Sequence, residues 1–397
     1  MEFGWIDFSK NERNKVLSVL ELLSEAGTLD ELGIAPIRDG FANMFFPGTS
    51  TIQTRAKYFL IVPYGLKDME QDKDNNPNTI LKKFDELEKN CAKKLLENNK
   101  DELGVIGSVS LANNSWVKRT PADIYWAGLR TYGIFTNSRL SLSEYVRFYC
   151  QRKKEKQAIK TAGKYDTDED NDDEVGSYLY KPFWNIPTYT NDWFNSLDIH
   201  LTSAEGQFLK NQIISECSGS ILAYMLKNNL VDHSKLGSFQ NLETVIDQYP
   251  QDIQKKYKLA KDFSRFIYVL RVIYNIIITE GKNITAVKEL EETKEKWHEI
   301  ASVDLESTFS VLMIQGNTGL TSFLRNAKNH MLNNDYEGLV KDITDREVLL
   351  KGVKRARTKH PGESDPDVWY GGRELDYRYG NAMVIAQDIF ESEGEAC

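Results

Sequence analysis

Apolar residues recur at three- and four-residue spacing along most of the chain, the period of amphipathic helices. Val16, Val19, Leu20 and Leu23 form the first stripe; Ser9 and Glu12 match a capping box and Gly27 closes the run, which predicts a helix over 9–27. Ile37, Phe41, Met44 and Phe45 predict a second helix, stopped by Pro47 and Gly48. Ile52, Ala56, Phe59 and Leu66 carry the period through 49–68 across Pro63, which reads as a kinked helix because proline removes one amide and crowds the preceding turn. A strand over 58–62 competes with it. A helix follows over 82–96, then a strand-like stretch with Val105, Ile106 and Val109 within 103–111. Thr120 and Pro121 open the next helix and Gly133 closes it; another runs on from Ser141 with Tyr145, Phe148 and Tyr149 inward. Pro182 and Pro187 interrupt the aromatic segment 178–194, which predicts an ordered loop. Thr202 and Glu205 repeat the capping box, and helical periods cover 208–217, 221–226, 253–278, 287–300, 323–332 and 336–357.

These patterns predict a mainly α, two-domain helical protein with a winged-helix-like element in its N-terminal half. Length agrees, because 397 residues at roughly 150 per domain make two or three. The boundary is expected where Lys153, Lys154, Lys156, Lys160 and Lys164 give way to seven acidic residues between Asp166 and Glu174. That divides the chain into an N-terminal domain over 1–164, an acidic linker over 165–177 and a helical domain over 178–397.

Charge and composition narrow the function classes. The net charge of -9 opposes general coating of nucleic acid, but without the linker the remainder is close to neutral, so a local basic patch keeps its meaning. No apolar run approaches the roughly 18 residues of a membrane span, so a cytoplasmic protein without membrane contact is expected. Cys91, Cys150, Cys217 and Cys397 form no CxxC pair and the histidines no HExxH pair, and Walker, GxGxxG and GxSxG patterns are absent; no metal and no cofactor are expected. Asp166 to Glu174 alternates like a calcium loop, but Asn171 stands where the turn glycine belongs and Ser177 where the bidentate glutamate belongs.

Candidate chemistry is therefore binding chemistry. Thr49, Ser50 and Thr51 open the helix predicted from residue 49 and could hold an anion, with Arg55 and Lys57 one turn on. The alternative is a plain cap beside a structural ion pair. Arg119 and Arg130 flank the helix that begins at Pro121, where a winged-helix module would place phosphate or base contacts; Tyr125 and Trp126 read equally as buried anchors. Lys351, Lys354, Arg355, Arg357 and Lys359 gather at the end of a helix, where they suit either a phosphate backbone or the helix dipole. Trp369 to Arg373 and Tyr377 to Tyr379 follow, a loop rich in stacking groups that reads as a ligand rim or a docking loop.

Several segments together resemble an uncharacterised bacterial family, the domain-of-unknown-function family numbered 6361. They are Gly4-Trp5-Ile6-Asp7-Phe8-Ser9, Gly27-Thr28-Leu29-Asp30-Glu31-Leu32-Gly33, Ile37-Arg38-Asp39, the run from Phe46 to Phe59, Pro121 to Gly133, and Tyr377-Arg378. The resemblance assigns no catalytic residue. It implies the company of bacterial defence loci, beside helicases, nucleases and DNA methyltransferases. The combined expectation is a non-catalytic, nucleic-acid-binding (DNA-binding) component of an anti-phage or DNA-processing system that works with a larger helicase or nuclease. A metal-dependent nuclease whose carboxylates converge only in the fold, and a protein-only scaffold, are the rivals.

Overall fold

A computed structural model describes residues 30–73, 76–100, 102–161 and 182–394. The described chain is mainly helical, and its one β pairing is an isolated antiparallel bridge between Phe135 and Trp184. The helix predicted over 9–27 and the acidic stretch 165–177 lie outside the described residues. The described residues form two compact units, one from residues up to 38 with 259–375 and one from 39–258 with those after 375. The described residues on either side of 165–177 fall in the same unit, and the division runs instead through helix α1 (Ala35–Phe45) and a later long helix.

In the unit built from 39–258 and 376–397, α2 (Tyr58–Glu70) packs on α3 (Pro77–Asn98) and α5 (Pro121–Thr131), and α3 also packs on α6 (Leu142–Thr161). The final helix α15 (Tyr379–Gly394) lies against α7 (Ser203–Glu216), close enough that a side chain at Gly206 would collide with Ser392. α8 (Ile221–Lys227) completes this group. Both predicted caps form: Thr120 and Asp123 exchange hydrogen bonds at the start of α5, and Thr202 and Glu205 at the start of α7. The segment 182–194 is an aromatic loop, with Phe183, Trp184 and Trp193 buried.

Two local readings change. The helix expected from residue 49 begins only at Tyr58, and Pro63 lies inside it. Residues 48–57 form a loop because tertiary partners satisfy their backbone. The Tyr125 hydroxyl accepts from the Thr54 and Arg55 amides at 2.9 and 3.1 Å and donates to the Arg55 carbonyl at 2.8 Å. Residues 103–111 are a turn leading into the short helix α4 (Ser108–Ala112), so no strand stands there.

In the other unit, the long helix α9 (Gln251–Ile278) supplies the apolar centre from residue 259 onward: Phe263, Phe266, Ile267, Leu270, Ile273 and Tyr274 are fully buried. α10 (Ile284–Lys294), α11 (Trp297–Ile300) and α12 (Leu305–Val311) follow; α11 and α12 pack on α13 (Thr318–Leu332), which pairs with α14 (Tyr336–Lys351) as a helical hairpin. α14 ends at Lys351, six residues short of the predicted end near Arg357, with Gly352 (φ +75°) as its cap. The basic cluster is therefore an irregular segment folded back on the helix end.

Candidate nucleic-acid interface

α9 is apolar along most of its length, yet Ser264, Arg271 and Asn275 are buried on one face of it, and Thr279, just past its end, is buried in line with them. Most of their polar groups serve a single loop, 368–375. Asn275 accepts from the Tyr370 amide through Oδ1 and donates to the Tyr370 carbonyl through Nδ2, both at 2.9 Å, so one side chain pairs with a whole residue's backbone. The Ser264 hydroxyl accepts from the Leu375 amide at 2.8 Å and the Arg271 guanidinium donates to the Arg373 carbonyl at 2.5 Å. Asn283 donates to the Val368 carbonyl at 3.3 Å, and Thr279 holds Asn283 by accepting its amide at 3.2 Å. Gly371 and Gly372, with φ of +81° and +75°, let the loop turn over Arg271 and Glu31.

This fixed backbone presents rings and cations together. Trp369 stacks on Tyr268 with centroids 6.1 Å apart, and the Arg373 guanidinium lies 4.6 Å from the Trp369 ring while pairing with Glu289 at 2.8 Å. The Arg357 guanidinium lies 4.5 Å above Tyr370. The tertiary structure thus joins the basic cluster to the aromatic loop that follows it in sequence.

The cluster divides by availability. Lys351 is held by Glu347 at 2.9 Å. Glu347 is fully buried and also accepts from the Thr358 amide at 3.0 Å and the Tyr274 hydroxyl at 2.8 Å. Burial works against its charge, but the Thr358, Lys351 and Tyr274 bonds outweigh it and hold the carboxyl below its ordinary range. Glu347 therefore anchors the segment that carries the cations. Its stabilisation is present above the ordinary glutamate value and disappears as pH falls through the lower folded value. Glu347→Gln is expected to cost about 1–2 kcal/mol near neutral pH, read as a lowered melting temperature that acidification brings back toward wild type. Lys354, Arg355, Arg357 and Lys359 are exposed; Arg357 faces Glu31 at 3.8 Å, and Arg355 Nε donates to the Lys351 carbonyl at 2.9 Å. Glu363, Asp365 and Asp367 form an acidic edge on the same loop, where the Asp365 amide donates to the Tyr370 hydroxyl.

The other expected contacts belong to the second unit. Arg55 is buried, with Nε 2.9 and 3.1 Å from the two Asp388 oxygens and Nη1 3.0 Å from Glu102. Burial lowers its pKa, but the two carboxylates more than compensate and leave it above the ordinary arginine value. Lys57 is buried against Glu205 at 2.6 Å, with the Tyr64 hydroxyl donating to the same carboxylate. Thr49 donates to the Phe46 carbonyl at 2.6 Å; the Ser50 amide donates to Gln53; Thr51 is exposed in a turn. No helix starts at these three residues, so the positive helix end that would draw an anion is elsewhere. Arg119 is exposed just before the α5 cap and Arg130 is partly exposed in the last turn of α5, while Tyr125 and Trp126 are buried anchors.

Three of the stretches quoted for the resemblance, Phe46 to Phe59, Pro121 to Gly133 and Tyr377-Arg378, converge within this unit. The loop 48–57 is gripped by Tyr125, by Asp388, by Arg378 donating to the Thr49 carbonyl at 2.9 Å, and by Asn381 donating to the Gln53 carbonyl at 2.8 Å. Those segments therefore build the fold there. The residues that sequence reasoning missed are Ser264, Arg271 and Asn275. Their signal was polar side chains recurring on an otherwise apolar helix, which stay unsatisfied unless another segment comes to meet them.

Among the described residues no group of three or more histidine, cysteine, aspartate or glutamate side chains is arranged to hold a metal ion, and no helix is long and apolar enough to cross a membrane. Residues 1–299 match the model of a family described as a family of unknown function (DUF6361). No curated protein and no solved structure matches the chain.

Proposed function

The chain belongs to the family of unknown function DUF6361, and we propose that it is a non-catalytic nucleic-acid-binding component of a bacterial defence or DNA-processing system, acting beside a helicase or nuclease. The observation that supports this reading is Arg357 over Tyr370 and Arg373 over Trp369 on a loop pinned by buried polar side chains, with Arg357 carried by a segment whose Lys354, Arg355 and Lys359 are also exposed. Cations without strong internal partners can neutralise phosphates and release counterions, and rings supply sequence-tolerant contact. Arg119, just before α5, and Arg130, in its last turn, are secondary contacts in the other unit; Arg55, Lys57 and Lys351 are left out because carboxylates already hold them. The defence setting and the helicase or nuclease partner rest on the family resemblance.

Fluorescence anisotropy with labelled DNA over a salt series tests the reading. Affinity is expected to fall steeply with salt, and the combined Lys354→Ala, Arg355→Ala and Lys359→Ala variant is expected to bind about ten-fold or more weakly at low salt. Its salt slope should drop by roughly one per lysine or arginine removed. Arg119→Ala and Arg130→Ala are expected to give smaller losses of the same kind. Binding that ignores salt, or a triple variant indistinguishable from wild type, would sink the reading. DNA cleavage that needs magnesium or manganese and stops with chelator would replace it with the nuclease alternative.

A further inference from the structure

The two rings of the candidate interface are not equivalent. Trp369 is locked: Tyr268 stacks on it at an interplanar angle of 19°, its Nε1 donates to the Gly372 carbonyl at 2.7 Å, and Arg373 over it is tied to Glu289. Tyr370 differs. Asn275 fixes its backbone from both sides, its hydroxyl accepts from the Asp365 amide at 3.2 Å, and the group 4.5 Å over its ring is the half-exposed Arg357 guanidinium. Among the described residues, the carboxylate that faces that guanidinium is Glu31, at 3.8 Å, beyond hydrogen-bonding distance. Tyr370 is thus a rigid ring under a displaceable cation.

We infer that this face takes single-stranded nucleic acid, with an unstacked base on the Tyr370 ring in place of Arg357, whose guanidinium moves to the adjoining phosphate. The inference rests on the nucleic-acid reading above and adds the strand state. A base inside a duplex has both faces occupied by its neighbours and cannot lie on a loop-borne tyrosine, whereas an unpaired base can. A surface guanidinium on a tyrosine is weakly held, so a base can displace it, and the arginine gains a charged hydrogen bond in exchange. Arg357, already over the ring, is the cation that meets the adjoining phosphate.

The test uses the full chain with an oligothymidylate and a duplex of equal length, followed by anisotropy over a salt series, and an oligonucleotide carrying 2-aminopurine to report stacking. Single strand is expected to bind about ten-fold or more tightly than duplex, with the 2-aminopurine emission quenched on binding. Tyr370→Phe keeps both properties, while Tyr370→Leu loses about ten-fold in single-strand affinity with its salt slope unchanged. Should Tyr370→Leu fail to fold, Arg357→Ala decides: its salt slope falls by about one while quenching persists. Duplex binding as tight as single-strand binding, wild-type affinity in Tyr370→Leu, or an unquenched base overturns the inference. Salt-dependent duplex binding without strand preference leaves the nucleic-acid reading standing, whereas no binding to either form removes both.

Discussion

Asp388→Ala is expected to destabilise the unit formed by 39–258 and 376–397 by about 3–5 kcal/mol. Two donors end on this carboxylate: the Arg55 Nε–H, shared between both oxygens, and the Ala56 amide at 2.7 Å. Removing it leaves the guanidinium in the interior with the half-exposed Glu102 as its remaining carboxylate, and strands the Ala56 amide. Much of the cost is therefore the unpaired buried charge. The double variant Arg55→Met with Asp388→Leu should recover part of the loss, because apolar side chains of similar volume need no desolvation to be compensated. Urea unfolding of the wild type, both single variants and the double variant measures the coupling. A double variant as unstable as the sum of the singles would show that the charges are not coupled.

The second large effect is a loss of stability as pH rises. Glu88 on α3 is buried, and its Oε1 accepts from the Ala122 amide at 2.7 Å, at the N-terminus of α5. Burial pushes its carboxyl up to about 8, against the lowering effect of the Ala122 and Thr120 hydrogen bonds; Asp123 and Asp85 push it further up. Cys91 and Tyr58, the other titratable groups facing it, are themselves pushed up to about 12 and beyond the ordinary tyrosine range. The native state therefore holds the Glu88 proton more tightly than the unfolded chain. Its contribution is complete below the ordinary glutamate value and is lost as pH rises from there through about 8, a change on the order of 3–5 kcal/mol. Unfolding free energies measured from mildly acidic to mildly alkaline pH should show that fall in the wild type and a much flatter profile in Glu88→Gln. Parallel profiles would place the proton elsewhere.

Elements were legible wherever they depend on neighbours in sequence. The period of apolar residues, the Thr120 cap with Pro121, and the capping box at Thr202 locate α5 and α7, because a cap and its amide lie within one turn of each other. The aromatic loop near Pro182 and Pro187 follows for the same reason. Legibility ends where distant partners intervene. The periodic run from residue 49 is not helical before Tyr58, since a hydroxyl some seventy residues away satisfies its backbone. The helix running toward Arg357 stops at Gly352, and the cations beyond it are placed by Glu347 through the Thr358 amide.

The candidate site divides in the same way. Arg55, Lys57 and Lys351 look as suitable for phosphate in the sequence as Lys354, Arg355, Arg357 and Lys359. Availability depends on carboxylates brought from afar, Asp388 and Glu205, or from one turn back, Glu347. By itself, the sequence determined the helical class, most helix positions, and the presence of cations and rings between Lys351 and Arg373, because periodicity, capping and composition act over a few residues. Only the tertiary structure decided which cations stay exposed, and that Tyr370 stands rigid beneath one of them. Both depend on pairing across long stretches of chain, where burial makes an unsatisfied charge or amide costly and so selects the partner.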